Sequence, residues 1–136
     1  MKEIGNLKLH HIGVATNNIE KEFKIFEKFG YTKSSEVFCD EIQKIKGLFI
    51  SAENQPTLEL LENLNDEGPL TSILAKGIKF YHFAYSTNDI EKDLEMLVNE
   101  FGATVISSIT EATYFEKICF VLLSNRMIVE LVQERK

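Results

Sequence analysis

The 136-residue chain is predicted to be an α+β protein: two tandem β-α-β-β-β modules that together form one open eight-stranded mixed sheet. Three observations predict this. The phrase HHIGVATNNIEKEF at 10–23 returns as YHFAYSTNDIEKDL at 81–94. One gapless shift of 71 residues also lays Phe49 on Phe120, Ile50 on Val121 and Glu59 on Glu130. Within each copy, apolar residues alternate, then follow a helical stripe, then alternate again in three further runs. Two copies are too few for a solenoid, so the modules are expected to pair as a single domain over 1–136.

The first copy, about 8–62, opens with an alternating strand at 8–15. Asn17 is placed to cap a helix, with Glu20 three residues on. Ile19, Phe23, Phe26 and Gly30 mark one helical stripe, and Gly30 is a natural stop. Strands are predicted at 31–38, 42–51 and 57–62. A linking helix follows at about 66–77, between Pro69 and Gly77. The second copy, about 79–133, repeats the pattern. It has a strand at 79–86, a helix from Asn88 to Gly102 carrying Ile90, Leu94, Leu97 and Phe101, and strands at 103–109, 115–123 and 127–133.

Composition narrows the function classes. A formal charge of −6 argues against nucleic acid as a partner, whose phosphates attract clustered Lys and Arg. No apolar run approaches the roughly 18–20 residues that span a bilayer, so no membrane partner is expected. The opening MKEIGNLKLHH lacks the continuous apolar stretch of a signal peptide, which makes a cytoplasmic location the expectation. Cys39 and Cys119, far apart in apolar strands, are expected to be reduced core cysteines.

His11 and His82 sit on the first strand of each copy, and Glu59 and Glu130 on the last. Both separations are 48 residues. Each glutamate interrupts an apolar run, LEL at 58–60 and VEL at 129–131, so alternation turns it away from its apolar neighbours. A sheet whose other face is covered by helices would free that face for a cleft. Two imidazoles and two carboxylates meeting there make a divalent metal site suited to Zn, Ni, Co, Mn or Fe(II). His10, next to His11, faces the other way and reads as a surface or interface residue.

These residues resemble the vicinal oxygen chelate superfamily. The phrase HHIGVATNNIEKEFKIFEKFGY is similar to the opening of the methylmalonyl-CoA epimerases, and LELLE to their fourth strand. DEGPLTSILAKGIKFYHFAY resembles the segment that leads into their second metal histidine. The quartet His11, Glu59, His82 and Glu130 resembles the ligand set of glyoxalase I enzymes, whereas epimerases commonly carry Gln at the place of Glu59. The resemblance implies an enzyme that binds a divalent metal (Zn, Ni, Co or Mn), with no other cofactor. Such an enzyme moves a proton next to a carbonyl of an acyl-thioester or a hemithioacetal, as an epimerase/isomerase or a glyoxalase-type lyase. Glu130 is the candidate catalytic group, with Glu59 sharing that role in the glyoxalase reading. The stretch CDEIQ resembles a catalytic-Glu segment and makes Glu41 a second candidate, with Asp40 one residue away. The resemblance also implies a homodimer. An Fe(II) oxygenase using two histidines and a carboxylate, and a small-molecule-binding, resistance-type protein, are the remaining alternatives.

Overall fold

The computed structural model describes residues 3–136, so Met1 and Lys2 of the opening stretch lie outside it. The elements run β1 (Lys8–Ala15), α1 (Ile19–Glu27), β2 (Thr32–Lys33), β3 (Phe38–Asp40), β4 (Ile45–Ser51), β5 (Leu58–Asn63), α2 (Thr71–Ala75), β6 (Phe80–Ser86), α3 (Ile90–Phe101), β7 (Thr104–Thr110), β8 (Lys117–Leu122) and β9 (Ile128–Gln133). The class is α+β with an open mixed sheet, as expected, but with nine strands among the described residues rather than eight. The extra strand comes from a break in the run predicted at 31–38. There Ser34 N donates to Phe49 O, and Ser35 Oγ accepts from Phe49 N at 3.0 Å. A serine side chain thus takes a bond that a neighbouring strand would otherwise supply.

The residues gather into two compact units, His11–Tyr81 and the remainder, with the chain up to His10 joining His82–Lys136. In the His11–Tyr81 unit, β1 pairs in parallel with β5, and β4 lies antiparallel to β5, β2 and β3. Alternation sorts the side chains. Ile12, Val14, Leu48, Ile50, Leu58 and Leu60 pack with Ile19, Phe23 and Tyr31 around α1. Burying a side chain such as Leu60 contributes roughly 1.5–3 kcal/mol, and six strand residues spaced this way fix which face the helix covers. The other unit repeats the arrangement. There β6 pairs in parallel with β9, and β8 lies antiparallel to β9 and β7. Cys119, Val121, Val129 and Leu131 pack with Ile90 and Leu97 of α3.

Both helices begin one residue later than the sequence predicts. The caps are Asn18 and Asp89, whose side chains accept from Lys21 N at 3.0 Å and Lys92 N at 3.1 Å. The reason lies just before them. Thr16 Oγ1 and Thr87 Oγ1 accept from the backbone N–H of Asn18 and Asp89, holding those residues extended at the threshold. Glu20 and Glu91 do not close a capping box; they bond Lys33 and Lys117 instead. Gly102 ends α3 with φ 67°, a left-handed conformation that glycine adopts without strain. The linking helix is only five residues, Thr71–Ala75. Asn63 Oδ1 accepts Leu70 N and Asn63 Nδ2 donates to Thr71 Oγ1, which pins the helix start to the end of β5. No helix among the described residues is long and apolar enough to cross a membrane.

The expectation of two core cysteines holds for one. Cys119 is buried, but Cys39 is exposed on β3, because a two-faced strand of three residues turns its middle side chain outward. Burial, as the largest cause, pushes the Cys119 thiol up to about 12. At pH 8 a thiol reagent should therefore titrate one cysteine quickly in the native protein and the second only after denaturant. Two thiols reacting at the same native rate would contradict the placement of Cys119.

Candidate metal centre

His11 follows from β1 and Glu59 from β5. Register sets Gly13 beside Glu59, and Glu59 beside Phe49 of β4. His11 and Glu59 therefore share the face opposite the α1 core, and both are buried. His11 Nε2 lies 3.0 Å from Glu59 Oε1. The Phe49 ring meets the imidazole edge-on, with centroids 5.0 Å apart and planes at 80°. The second unit builds the same pair. Ala84 and Phe120 flank Glu130, His82 Nε2 lies 3.0 Å from Glu130 Oε1, and Phe120 stands edge-on to His82 at 5.2 Å and 88°. The two phenylalanines orient each ring so that Nε2 is the nitrogen presented. Their coincidence on the 71-residue shift was visible in the sequence, although nothing there gave them this role.

His11, Glu59, His82 and Glu130 form one buried group. Each offers one ligand atom, and these atoms all lie within 4.8 Å of one another. Donor chemistry and spacing both fit a divalent ion. Imidazole nitrogen and carboxylate oxygen are the donor types that hold such an ion, and the pairs lie 3.0 Å apart within each unit. Buried carboxylates are costly unless paired or coordinated, and two of them in one group call for positive charge nearby.

The glutamate strands are also tied to the helices. Glu62, three residues after Glu59, accepts Ile19 N at 2.9 Å, and Gln133, three after Glu130, accepts Ile90 N at 3.0 Å. Ile19 and Ile90 are the first helical residues, whose N–H groups have no partner inside the helix. The signal was present as LELLE and VELVQ, but a strand's last polar residue ordinarily reads as solvated. Glu62 also lies 3.5 Å from Lys46 Nζ.

The remaining candidates separate. Glu41 lies outside the buried group; its side chain is 78% exposed and 4.0 Å from Lys44 Nζ. Asp40 is only 3% exposed, and its Oδ1 accepts Ile42 N at 3.0 Å and Gln43 N at 2.9 Å. Strand pairing of Asp40 with Ile45 and of Phe38 with Gly47 puts Asp40 on the same face as Glu59. The turn after β3 begins at residue 41, so Glu41 leaves the sheet where Asp40 is still held in it. His10 is half-buried, 3.2 Å from Glu134 Oε1, with its ring edge-on to Phe115.

Over residues 10–120 the chain matches the family described as the Glyoxalase/Bleomycin resistance protein/Dioxygenase superfamily. The chain belongs to that superfamily. Comparison with curated protein sequences finds no match. Among solved structures it is similar to the methylmalonyl-CoA epimerase of Mycobacterium tuberculosis, at TM-score 0.85 and 15% identity over 100% of this chain and 94% of that one. A hypothetical protein from Bacillus halodurans C-125 is similar at TM-score 0.83 and 21% identity, over 96% of each chain. A Streptomyces coelicolor methylmalonyl-CoA epimerase variant in complex with 2-nitronate-propionyl-CoA gives TM-score 0.79 and 19% identity, over 95% and 98%. At these identities the likeness shows the fold.

The helix ties give a direct test. Glu62→Ala should lower stability by about 0.5–2 kcal/mol, the range for a lost N-terminal helix acceptor. Glu62→Gln should cost less, because an amide oxygen still accepts, as Gln133 does. Equal losses from the two variants in denaturant titrations would show that the bond to Ile19 N contributes nothing.

Proposed function

We propose that the protein is a divalent-metal-dependent isomerase, working as one domain over 1–136 in the cytoplasm, that moves a proton next to the carbonyl of an acyl-thioester. The observation that carries this is the buried His11, Glu59, His82 and Glu130 group with its ligand atoms within 4.8 Å. When bound, a divalent ion supplies Lewis acidity that lowers the cost of negative charge developing on a carbonyl oxygen. His11 and His82 would hold it through Nε2, kept in place by Phe49 and Phe120. Glu59 and Glu130 would hold it through carboxylate oxygens and offset its charge.

Glu130 is the proposed base. Its carboxylate takes the proton from the carbon beside the carbonyl, and burial keeps water from competing for that proton. An epimerase needs a second group to return a proton to the other face. The sequence pointed to Glu41 with Asp40 as neighbour; burial and the shared face with Glu59 favour Asp40. Its Oδ1 accepts from two backbone N–H groups, which hold the carboxylate in place at the end of β3. Glu59 favours a second reading. In a glyoxalase-type lyase acting on a hemithioacetal, Glu59 and Glu130 pass the proton between adjacent carbons without Asp40. The homodimer expected from the superfamily belongs to this proposal as well.

One ion should bind per chain, and replacing His11 or His82 by Ala should weaken metal retention by at least the 10–100-fold seen when even supporting groups are removed, measured by competition with a chelator. Metal-loaded protein offered methylmalonyl-CoA in heavy water should incorporate deuterium at an enzymatic rate. Glu130→Gln should reduce this by about 10²–10⁴-fold, and Asp40→Asn should do so while Glu41→Gln does not. Thioester formation from methylglyoxal–thiol hemithioacetals, without deuterium entry into the CoA ester, would favour the lyase. Inactivity on both would leave a binding protein.

A further inference from the structure

On the ligand-bearing face the two copies differ at the position of Gly47 and Ile118. Ile118 of β8 fills its position in the second unit and is buried, but the residue 71 positions earlier is Gly47. The space above Gly47 is taken by a ring from the next strand. Phe38 pairs with Gly47, and a Cβ on Gly47 would lie 2.4 Å from Phe38 Cζ. The same ring stacks on Phe49, with centroids 5.7 Å apart and planes at 18°. Phe49 in turn stands against His11 and pairs with Glu59. Phe38 is half-buried, in contact with the Ala15, Ile45, Leu61 and Leu70 cluster on one side. A flat apolar wall therefore extends from His11 along Phe49 to Phe38, its outer panel resting on a glycine.

We propose that Phe38 is a specificity-determining residue: it closes the space beside the His11–Glu59 pair, so that only a short apolar substituent fits next to the chelating oxygens of a ligand. The inference rests on the metal reading above. The physical reason is volume. A phenyl ring lying on a residue without Cβ occupies room that runs down to the sheet backbone, and truncating it opens a slot deeper than loss of a side chain ordinarily leaves. The wall is apolar, so a charged or hydroxylated substituent would lose its hydration there without gaining a partner.

Chelation without turnover separates this inference from the catalytic reading. Alkyl hydroxamates, from acetohydroxamate to octanohydroxamate, present two adjacent oxygens and a variable apolar tail. Their affinities can be read from the visible spectrum of the Co(II)-loaded protein. In the unaltered protein, affinity should fall at least tenfold from the shortest tail to the longest. Phe38→Ala should recover most of that loss while leaving acetohydroxamate within about threefold, with a melting curve recorded to show that the variant is folded. Phe38→Leu, which keeps more of the packing, should recover part of it and serves if the alanine variant does not fold. The same dependence on tail length in variants and parent would overturn the role of Phe38. If no hydroxamate perturbs the cobalt spectrum, the metal reading itself falls, and this inference with it.

Discussion

Two carboxylates buried inside apolar strands are the constraint around which this chain is organised. An ionised carboxylate away from water costs several kcal/mol unless it is paired or coordinated, and Glu59 and Glu130 are nearly inaccessible. Each is placed there by the strand period alone. The residues before and after it are committed to a helix-facing core, so the glutamate cannot turn outward without turning a leucine or valine to water. The apolar packing therefore holds the acid in an unfavourable place. What offsets it within each unit is an imidazole 3.0 Å away, itself braced by a phenyl edge. Binding a cation would relieve the same cost, so ion binding and stability are expected to be linked.

Duplication meets this constraint economically, because whatever one copy needs the other needs too. Threonine before the cap, asparagine or aspartate at the cap, and glutamate or glutamine reaching back from the last strand recur at the same shift. That last bond joins the strand carrying the buried glutamate to the start of the helix that follows the histidine strand. It fixes β5 and β9 along their length, since a slip of one residue would move the bond acceptor and carry the glutamate to the other face. The copies also differ on the face that carries the glutamates. The Phe38–Gly47 exchange adds an aromatic wall in one unit, and the short α2 segment covers part of the same face only after the first copy.

The clustering of His11, Glu59, His82 and Glu130 was legible because two independent periodicities agreed, the two-residue period of the strands and the 71-residue period of the chain. Each histidine or glutamate alone has a bland explanation, and it is their joint recurrence that points to a common site. The finer features were not legible for a common reason: they depend on which of two adjacent polar residues wins a local hydrogen bond. Asn17 and Asn18 are equal in sequence, and the Thr16 hydroxyl decides between them. Asp40 and Glu41 are both acidic, and the position of the β3–β4 turn decides which stays in the sheet. The predicted strand at 31–38 fails because two adjacent serines, 34 and 35, take its place on β4 through an amide and a hydroxyl. Cys39 reads as core until β3 proves to be three residues long. Such choices are settled by tertiary contacts that propensity does not carry.

The superfamily fold supports several chemistries, so fold likeness alone does not select among them. The charge of the donor set discriminates more sharply. Two neutral imidazoles with two carboxylates total −2, which cancels a divalent cation; with a carboxamide in place of Glu59 the same assembly would keep a net +1. A net positive centre stabilises an enolate more strongly, whereas a neutral one leaves its carboxylates more basic and better suited to taking the proton. In the proposed isomerase Glu59 would thus shift the division of labour from the electrophile toward the base. The two readings share Glu130 and differ in what they ask of Glu59: a fixed ligand for a proton relay completed by Asp40, or a second shuttle that makes Asp40 dispensable. The decision between them turns on one oxygen-for-nitrogen difference at that position and on the buried acid one strand pair beyond it.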